Sequence, residues 1–432
     1  MGSGKTVGRG CVPGKLFDIM KNYEITVLSP VHIGTGKKIT PFEYVTTKGK
    51  FIVIDLARVL HANPDRVKDL NTQLEQNASH FSLSDFLIPE EQMNKVFQKY
   101  EAALDEMTDT VLQDERHKAK DMDVSEHIKT PLAHQVYIPG SSLKGAFRTA
   151  LAYIIFQDNE SVFKELKDRL ENVNWRWSDA AVNELIFWGG RSNPKYDLFK
   201  TLRFSDSSTL PANEKTLEVG KMKVLSLSSL RKKELPKQGT MFKQLEQLRA
   251  AMVSHAHSPM KPWWTLQEVL KPGITFTGNA SVEEHLLRNS SAQKCLQWKA
   301  PYQTHFSLGY LIKAANTLAA DICNWELHFF KQQVEGIEVT PAVDFYRHLK
   351  TRIRQAGETE CYVCLGQGAG WHKITIGMLL ERDQSFDFRK LRRELRLANN
   401  RLNFDFPKSR KLLMKSDDEI QSIPGWVKIQ LE

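Results

Sequence analysis

Cysteine is scarce in this sequence, and long apolar runs are missing. The 432-residue chain has five cysteines, an odd number that supplies no paired disulfide framework and fits a reducing compartment. No stretch reaches the roughly 18 consecutive apolar residues of a spanning helix. The N-terminal stretch has no apolar core of a secretory signal, and no tandem repeat is visible. Hydrophobic residues make up 41%, aromatics 9% and charged residues 26%, which excludes collagen-like, mucin-like and wholly disordered chains. At about 150 residues per domain the length implies two or three domains.

What the chain does have is positive charge. Sixty Lys and Arg stand against 51 Asp and Glu, a net +9 with a pI near 9.1. Such a balance suits a polyanionic partner, or serves solubility alone.

Residues 1–19 carry five glycines and no periodicity and read as a disordered leader. Gly4-Lys5-Thr6 there imitates the end of a phosphate-binding loop, but it lacks the preceding strand and first glycine. Strands are expected at Tyr23–Leu28, Phe42–Thr47, Phe51–Asp55, Val136–Ile138, Leu202–Ser205, Ile274–Asn279 and Cys361–Leu365, with an extended hairpin-like run at Thr216–Leu227. Residues 60–130 read as a helical insertion. Lys95–Met107 has helical periodicity, and Glu101 to Glu126 is acid-rich, as a solvated face would be. Helices are expected at Leu143–Phe156, Ser307–Gln333 and Ile374–Glu381. Arg389–Lys411 holds nine basic residues against Glu394 and Asp405. The pattern is α+β, with spacing that fits two βαββαβ-like halves.

Three glycine-bearing loops stand out. The first, Pro30-Val31-His32-Ile33-Gly34-Thr35-Gly36-Lys37-Lys38, follows a strand and brings two lysines to a flexible backbone; a tight turn is the simpler alternative. The second, Ile138-Pro139-Gly140-Ser141-Ser142-Leu143-Lys144-Gly145-Ala146-Phe147-Arg148, opens a helix. Free N–H groups at such a helix start favour an anion, and Lys144 and Arg148, four apart, share a face. The third, Leu365-Gly366-Gln367-Gly368-Ala369-Gly370-Trp371-His372-Lys373, has glycines at alternate positions. It is either a hinge or a surface where backbone lies against a ligand, Trp371 stacks on a base and Lys373 meets a phosphate.

These loops, in this order, with Trp188-Gly189, Tyr196-Asp197-Leu198-Phe199 and the Leu202-Arg203-Phe204-Ser205-Asp206-Ser207 segment between the second and third, resemble the RAMP superfamily of CRISPR proteins. Within it the series looks most like the subunit of the type III-A (Csm) effector that caps the 3′ end of the guide RNA. The resemblance covers roughly residues 22–56, 135–206 and 262–380. It implies two ferredoxin-like (RRM-like) modules with a helical insertion: 20–210, carrying the insertion at about 60–130, and 211–385, carrying the Gly-rich loop, with 386–432 as a basic C-terminal extension.

It also implies crRNA as ligand, held by phosphate and ribose so that any spacer fits. The RNA-binding set is then His32, Gly34, Thr35, Gly36, Lys37, Lys38, Ser141, Ser142, Lys144, Gly145, Arg148, Arg203, Gly366, Gly368, Gly370, Trp371, His372 and Lys373. The implied partners are the backbone RAMP subunit, the small helical subunit, host nucleases that trim the guide and, indirectly, target RNA, in a prokaryotic cytoplasm. No membrane partner, catalytic residue, metal or cofactor is expected. Ile39-Thr40-Pro41-Phe42-Glu43 lacks the aspartate of the target-cleaving backbone subunit.

Other readings stay open. His32 as general base would make the chain a metal-independent endoribonuclease acting on repeat RNA. The sister RAMP subunit grips the guide's 5′ handle instead. A scaffold could use Arg389–Lys411 to dock an acidic protein. Cys361-Tyr362-Val363-Cys364 invites zinc, but no second pair stands at metal spacing, so a buried strand pair is the simpler assignment. His255-Ala256-His257 reads as a surface loop, Trp263-Trp264 as core, and Asp206 as a loop-orienting carboxylate.

Overall fold

Tyr23, Ile25 and Val27 are buried while Glu24 and Thr26 between them are partly exposed, the period-2 signature of a strand with one face on a core. A computed structural model of the chain describes residues 19–47, 49–77, 81–113, 123–171, 178–189, 193–226, 260–296, 302–331, 337–397 and 406–432. Its strands are β1 (Ile19–Val27), β2 (Gly34–Ile39), β3 (Tyr44–Thr47), β4 (Lys50–Ile54), β5 (Gln98–Leu104), β6 (Val124–His127), β7 (Gln135–Val136), β8 (Leu202–Phe204), β9 (Leu210–Pro211), β10 (Leu217–Ser226), β11 (Met260–Leu270), β12 (Thr275–Val282), β13 (Glu360–Cys364), β14 (Ser409–Met414), β15 (Ile420–Ser422) and β16 (Trp426–Leu431).

Two sheets organise these strands. One runs β13-β16-β1-β12-β8, with every neighbouring pair antiparallel. The other runs β2-β6-β11-β10-β5-β4-β3, with β14 added on β10 and β15 on β14. Helices Gly140–Asp158, Leu308–Lys331 and Thr340–Gln355 pack with the first sheet into one large apolar core. A smaller core lies under the insertion, where Val59, Leu70, Leu83 and Phe86 meet Val45, Ile52 and Ile54. The architecture is α+β.

The sheets cross the sequence divisions expected above. β1 pairs on one side with β12 and on the other with β16, so Tyr23 is level with both Gly278 and Leu431. The C-terminal extension therefore supplies strands from within the fold. Buried Trp426, Val427 and Ile429 explain why β16 is an inner strand.

The segment Lys95–Met107 is a correction. Its Ala, Glu and Leu content favours helix, yet Gln98–Leu104 is β5, antiparallel to β4, with Tyr100, Ala102 and Leu104 buried. Burial on a sheet overrode a propensity worth only tenths of a kcal/mol per residue. The helix expected at Ile374–Glu381 is instead two short ones, Trp371–Ile374 and Gly377–Arg382. Trp263, expected in the core, is 58% exposed on β11. Residues 1–18 and His255-Ala256-His257 lie outside the described residues. Among the described residues no helix is long and apolar enough to cross a membrane.

Candidate nucleic-acid interface

β1 and β13 are both antiparallel to β16, so they run the same way and end at the same edge of the sheet. The first and third glycine loops leave from those ends and meet there. Gln367 N–H donates to the His32 carbonyl at 2.8 Å. Gly366, at φ +63°, stands so close that a Cβ would lie 2.0 Å from that carbonyl oxygen. Only glycine allows both the left-handed backbone and this approach.

Under the first loop lies a buried polar cluster. Lys129 Nζ is 2.5 Å from the Glu268 carboxylate, with both side chains closed to solvent. His127 N–H donates to the same carboxylate at 2.8 Å, and Ile33 N–H donates to His127 Nδ1 at 3.1 Å. His32 Nδ1 donates to the Glu268 carbonyl at 2.7 Å. Burial, with the nearby ammonium groups of Lys411 and Lys129, pulls the His32 pKa down and keeps the ring neutral. The loop's edge is outward: Gly34, Thr35, Gly36, Lys37 and Lys38 are all exposed. Lys38 pairs with Asp123 at 3.3 Å and Thr35 donates to Glu126 at 3.1 Å.

The second loop behaves differently. Gly140 starts its helix against Phe204 and Ser205, whose carbonyl oxygens leave no room for a Cβ. Asp206 accepts from Gly140 N–H at 2.8 Å, so the loop-orienting role expected of it holds, and a protein carboxylate already occupies this helix start. Replacing Asp206 with alanine is expected to cost about 1 kcal/mol, read as a lower urea midpoint. Lys144 and Arg148 do share a face, but it turns inward. Lys144 donates to the Leu202 carbonyl at 2.7 Å. Arg148 bonds Asn183 at 2.7 Å, pairs with Asp197 at 3.0 Å and lies 3.9 Å over the Phe187 ring. These two cations hold the protein together and do not project towards a ligand. Ser141 and Gly145 are exposed, Ser142 is half-buried, and Arg203 is ion-paired with Glu283. The helix reaches the third loop through Thr149 Oγ1, 3.4 Å from the Ile374 carbonyl.

The third loop also keeps its cations inside. Lys373 is buried and donates to the Gly368 carbonyl at 3.0 Å, bracing the loop. His372 is buried against Trp325, with Nε2 donating to Glu381 at 2.9 Å; burial pushes its pKa down to about 3. Trp371 packs edge-on against Phe406, 5.5 Å between ring centres. Gly366 and Gly370 are exposed, and Gly368 carries φ +107° beside Pro424.

The cation at this junction comes from a residue absent from the expected set. A cavity of about 220 Å³ is lined by Gly368, Gly370, Lys373, Arg410 and Lys411. Arg410 is committed to Glu326 at 2.6 Å. Lys411, on β14, is half-buried and has no hydrogen-bond or ion-pair partner among the described residues. Burial pushes its pKa down to about 8. The sequence signal was the basic stretch Arg389–Lys411; what it lacked was the β10–β14 pairing that carries Lys411 to the loops.

Cys361 and Cys364 are both buried on β13, which is covered on both faces. Burial raises both thiol pKa values. No group of three metal-ligating side chains is found among the described residues.

The RAMP superfamily model matches residues 24–396, and the chain belongs to that superfamily. Within it, the chain is similar to Csm5 proteins, which bears out the resemblance drawn from the loops. It is 28% identical over 194 residues to the CRISPR system Cms protein Csm5 of Streptococcus thermophilus, 42% of this chain and only 50% of that protein. It is 21% identical over 426 residues to the protein of the same name from Methanocaldococcus jannaschii, 94% of this chain and 87% of the relative. A chain in the cryo-EM structure of a Csm-crRNA-target RNA ternary complex of a type III-A CRISPR-Cas system shares the fold. Its TM-score is 0.61 at 21% identity, covering 95% of this chain and 100% of that one. The crystal structure of T. onnurineus Csm5 gives 0.56 at 19% identity, covering 94% and 99%.

Proposed function

We propose that this chain is a non-catalytic crRNA-binding subunit of a type III-A Csm complex, capping the 3′ end of the guide and supporting its 3′-end maturation. The observation that carries the reading is the junction of the first and third loops beside the unpartnered Lys411. Exposed glycine backbone and an ammonium with no partner among the described residues suit a phosphodiester chain of any sequence. The partners are the backbone and small helical subunits, trimming nucleases and, through the guide, target RNA. The first loop's exposed Lys37 extends the cationic track.

The non-catalytic part rests on His32. Its Nδ1 partner is a backbone carbonyl, and the nearby Glu268 carboxylate is engaged by Lys129 and His127. A general base of an RNA-cutting site needs an acid to protonate the leaving oxygen.

Photo-crosslinking of guide RNA in the reconstituted complex tests the placement. Crosslinks from this chain are expected at the guide's 3′-terminal nucleotides, and crosslinks to the repeat-derived 5′ tag would overturn it. Labelled repeat RNA incubated with the full chain in EDTA is expected to stay intact. Site-specific cuts lost in His32→Ala would make the chain an endoribonuclease.

A further inference from the structure

We propose that His32 Nε2 accepts a hydrogen bond from a ribose 2′-hydroxyl, so that this junction selects RNA over DNA. The inference rests on the RNA-holding reading above and assigns one atom its task.

The tautomer follows from geometry. Nδ1 lies 2.7 Å from the Glu268 carbonyl oxygen, which only accepts, so Nδ1 carries the hydrogen. In the neutral ring Nε2 then has a bare lone pair. Three elements hold the ring: β11 through the Glu268 carbonyl, β6 through the edge of His127, whose ring centre is 6.1 Å away, and the third loop, whose Gln367 N–H bonds the His32 carbonyl.

Nε2 has no partner among the described residues, although His32 is 5% exposed. The atom itself is not sealed among the buried polar atoms, so it is an acceptor at the surface, open to a donor from a ligand. Gly34 explains why it stays open. A Cβ on Gly34 would stand 2.8 Å from Nε2, and its next contacts, at 3.6 and 3.7 Å, are atoms of the same ring. Gly34 is not among the glycines of positive φ, so backbone conformation does not demand a glycine there. What a side chain at 34 would do is cover the nitrogen.

The chemistry of the occupant follows. A lone pair repels phosphate oxygens, and along a nucleic-acid backbone the one hydrogen-bond donor is the 2′-hydroxyl. Base donors vary with sequence and cannot serve a site that takes any spacer. Lys411 is near enough to act on His32 electrostatically, so a phosphate on Lys411 leaves an adjoining ribose within reach of Gly34.

The test uses the full chain and a short single-stranded RNA of mixed sequence, with its 2′-deoxy and 2′-fluoro counterparts, followed by fluorescence anisotropy. The 2′-fluoro strand keeps an RNA-like sugar pucker but has no donor. Wild type is expected to prefer ribose over both analogues. His32→Ala should lose roughly fivefold on ribose RNA and little on either analogue, the effect of one hydrogen bond. Gly34→Ala, which retains the imidazole and covers Nε2, should do the same. Lys411→Met should weaken all three strands by one common factor. Equal losses on ribose and fluoro strands in both loop variants overturn the assignment while leaving the RNA-holding reading intact. Failure of wild type to bind any strand at low salt overturns both.

Discussion

Lys411→Met is expected to raise the stability of the folded chain while weakening its binding to single-stranded RNA about tenfold, the worth of one charge-assisted contact. Two opposite effects from one substitution follow from the state of the ammonium. Burial pushes its pKa from the ordinary 10.5 down to about 8, and among the described residues no carboxylate answers it. Methionine keeps the length of the stem and removes the desolvated charge. The ammonium retains some contact with water, so screening reduces the expected gain to about 1 kcal/mol. The sign with pH is fixed by the direction of the shift. The folded state holds this proton less tightly than the unfolded chain, so the cost is full below about pH 8 and fades as pH rises towards 10.5. The stabilisation by Lys411→Met should therefore be largest at neutral pH and vanish in strong alkali. The log–log salt dependence of RNA affinity should flatten by about one counterion. Urea unfolding across pH and anisotropy across salt check both halves. A variant less stable than wild type, or one binding RNA unchanged, would remove Lys411 from the interface.

Lys129→Met is expected to be the most damaging single change near the site, at about 3–5 kcal/mol. Lys129 and Glu268 are both closed to water, at 2% and 0% exposure of their side chains. Without the ammonium, Glu268 is a lone carboxylate inside the protein, left with one N–H, from His127. Burial already raises the Glu268 pKa with its partner present, and removing that partner raises it further. A carboxylate whose folded pKa is raised costs least when protonated, so the deficit should shrink in acid and grow towards neutrality. The double variant Lys129→Met with Glu268→Leu should recover most of the loss, since an apolar pair replaces the buried ions. Urea midpoints of wild type, single and double variants at acidic and neutral pH are the measurement. An additive double variant would mean that the pair is not coupled. The same cluster carries the first loop on His127 and the Glu268 carbonyl, so the single variant should also lose RNA binding.

Much of the fold was legible because local patterns and final environment agree. The alternation at Tyr23–Val27, the apolar stripe of Gly140–Asp158 and the long helix Leu308–Lys331 each bury the face that their periodicity marks. β5 was not legible, since Gln98–Leu104 prefers helix in isolation and becomes a strand only between β4 and β10. β14 and β16 were hidden for a related reason. Their apolar residues are interrupted by Arg410, Lys411 and Lys428, and they are given meaning by partners some 200 and 400 residues away, as the pairings Val224–Lys411 and Ile25–Ile429 show.

The glycine loops, their order, the family they belong to and the excess of positive charge could be read from the chain before it folds, because these are properties of residue type and spacing. Which cations face outward was decided only by tertiary structure. Lys144, Arg148 and Lys373 are drawn inside by Leu202, Asp197 and Gly368, while Lys411 at the loop junction has no partner among the described residues. A charge is available to a ligand only when no protein group has already claimed it, and those claims are made across strands and helices far apart in the chain.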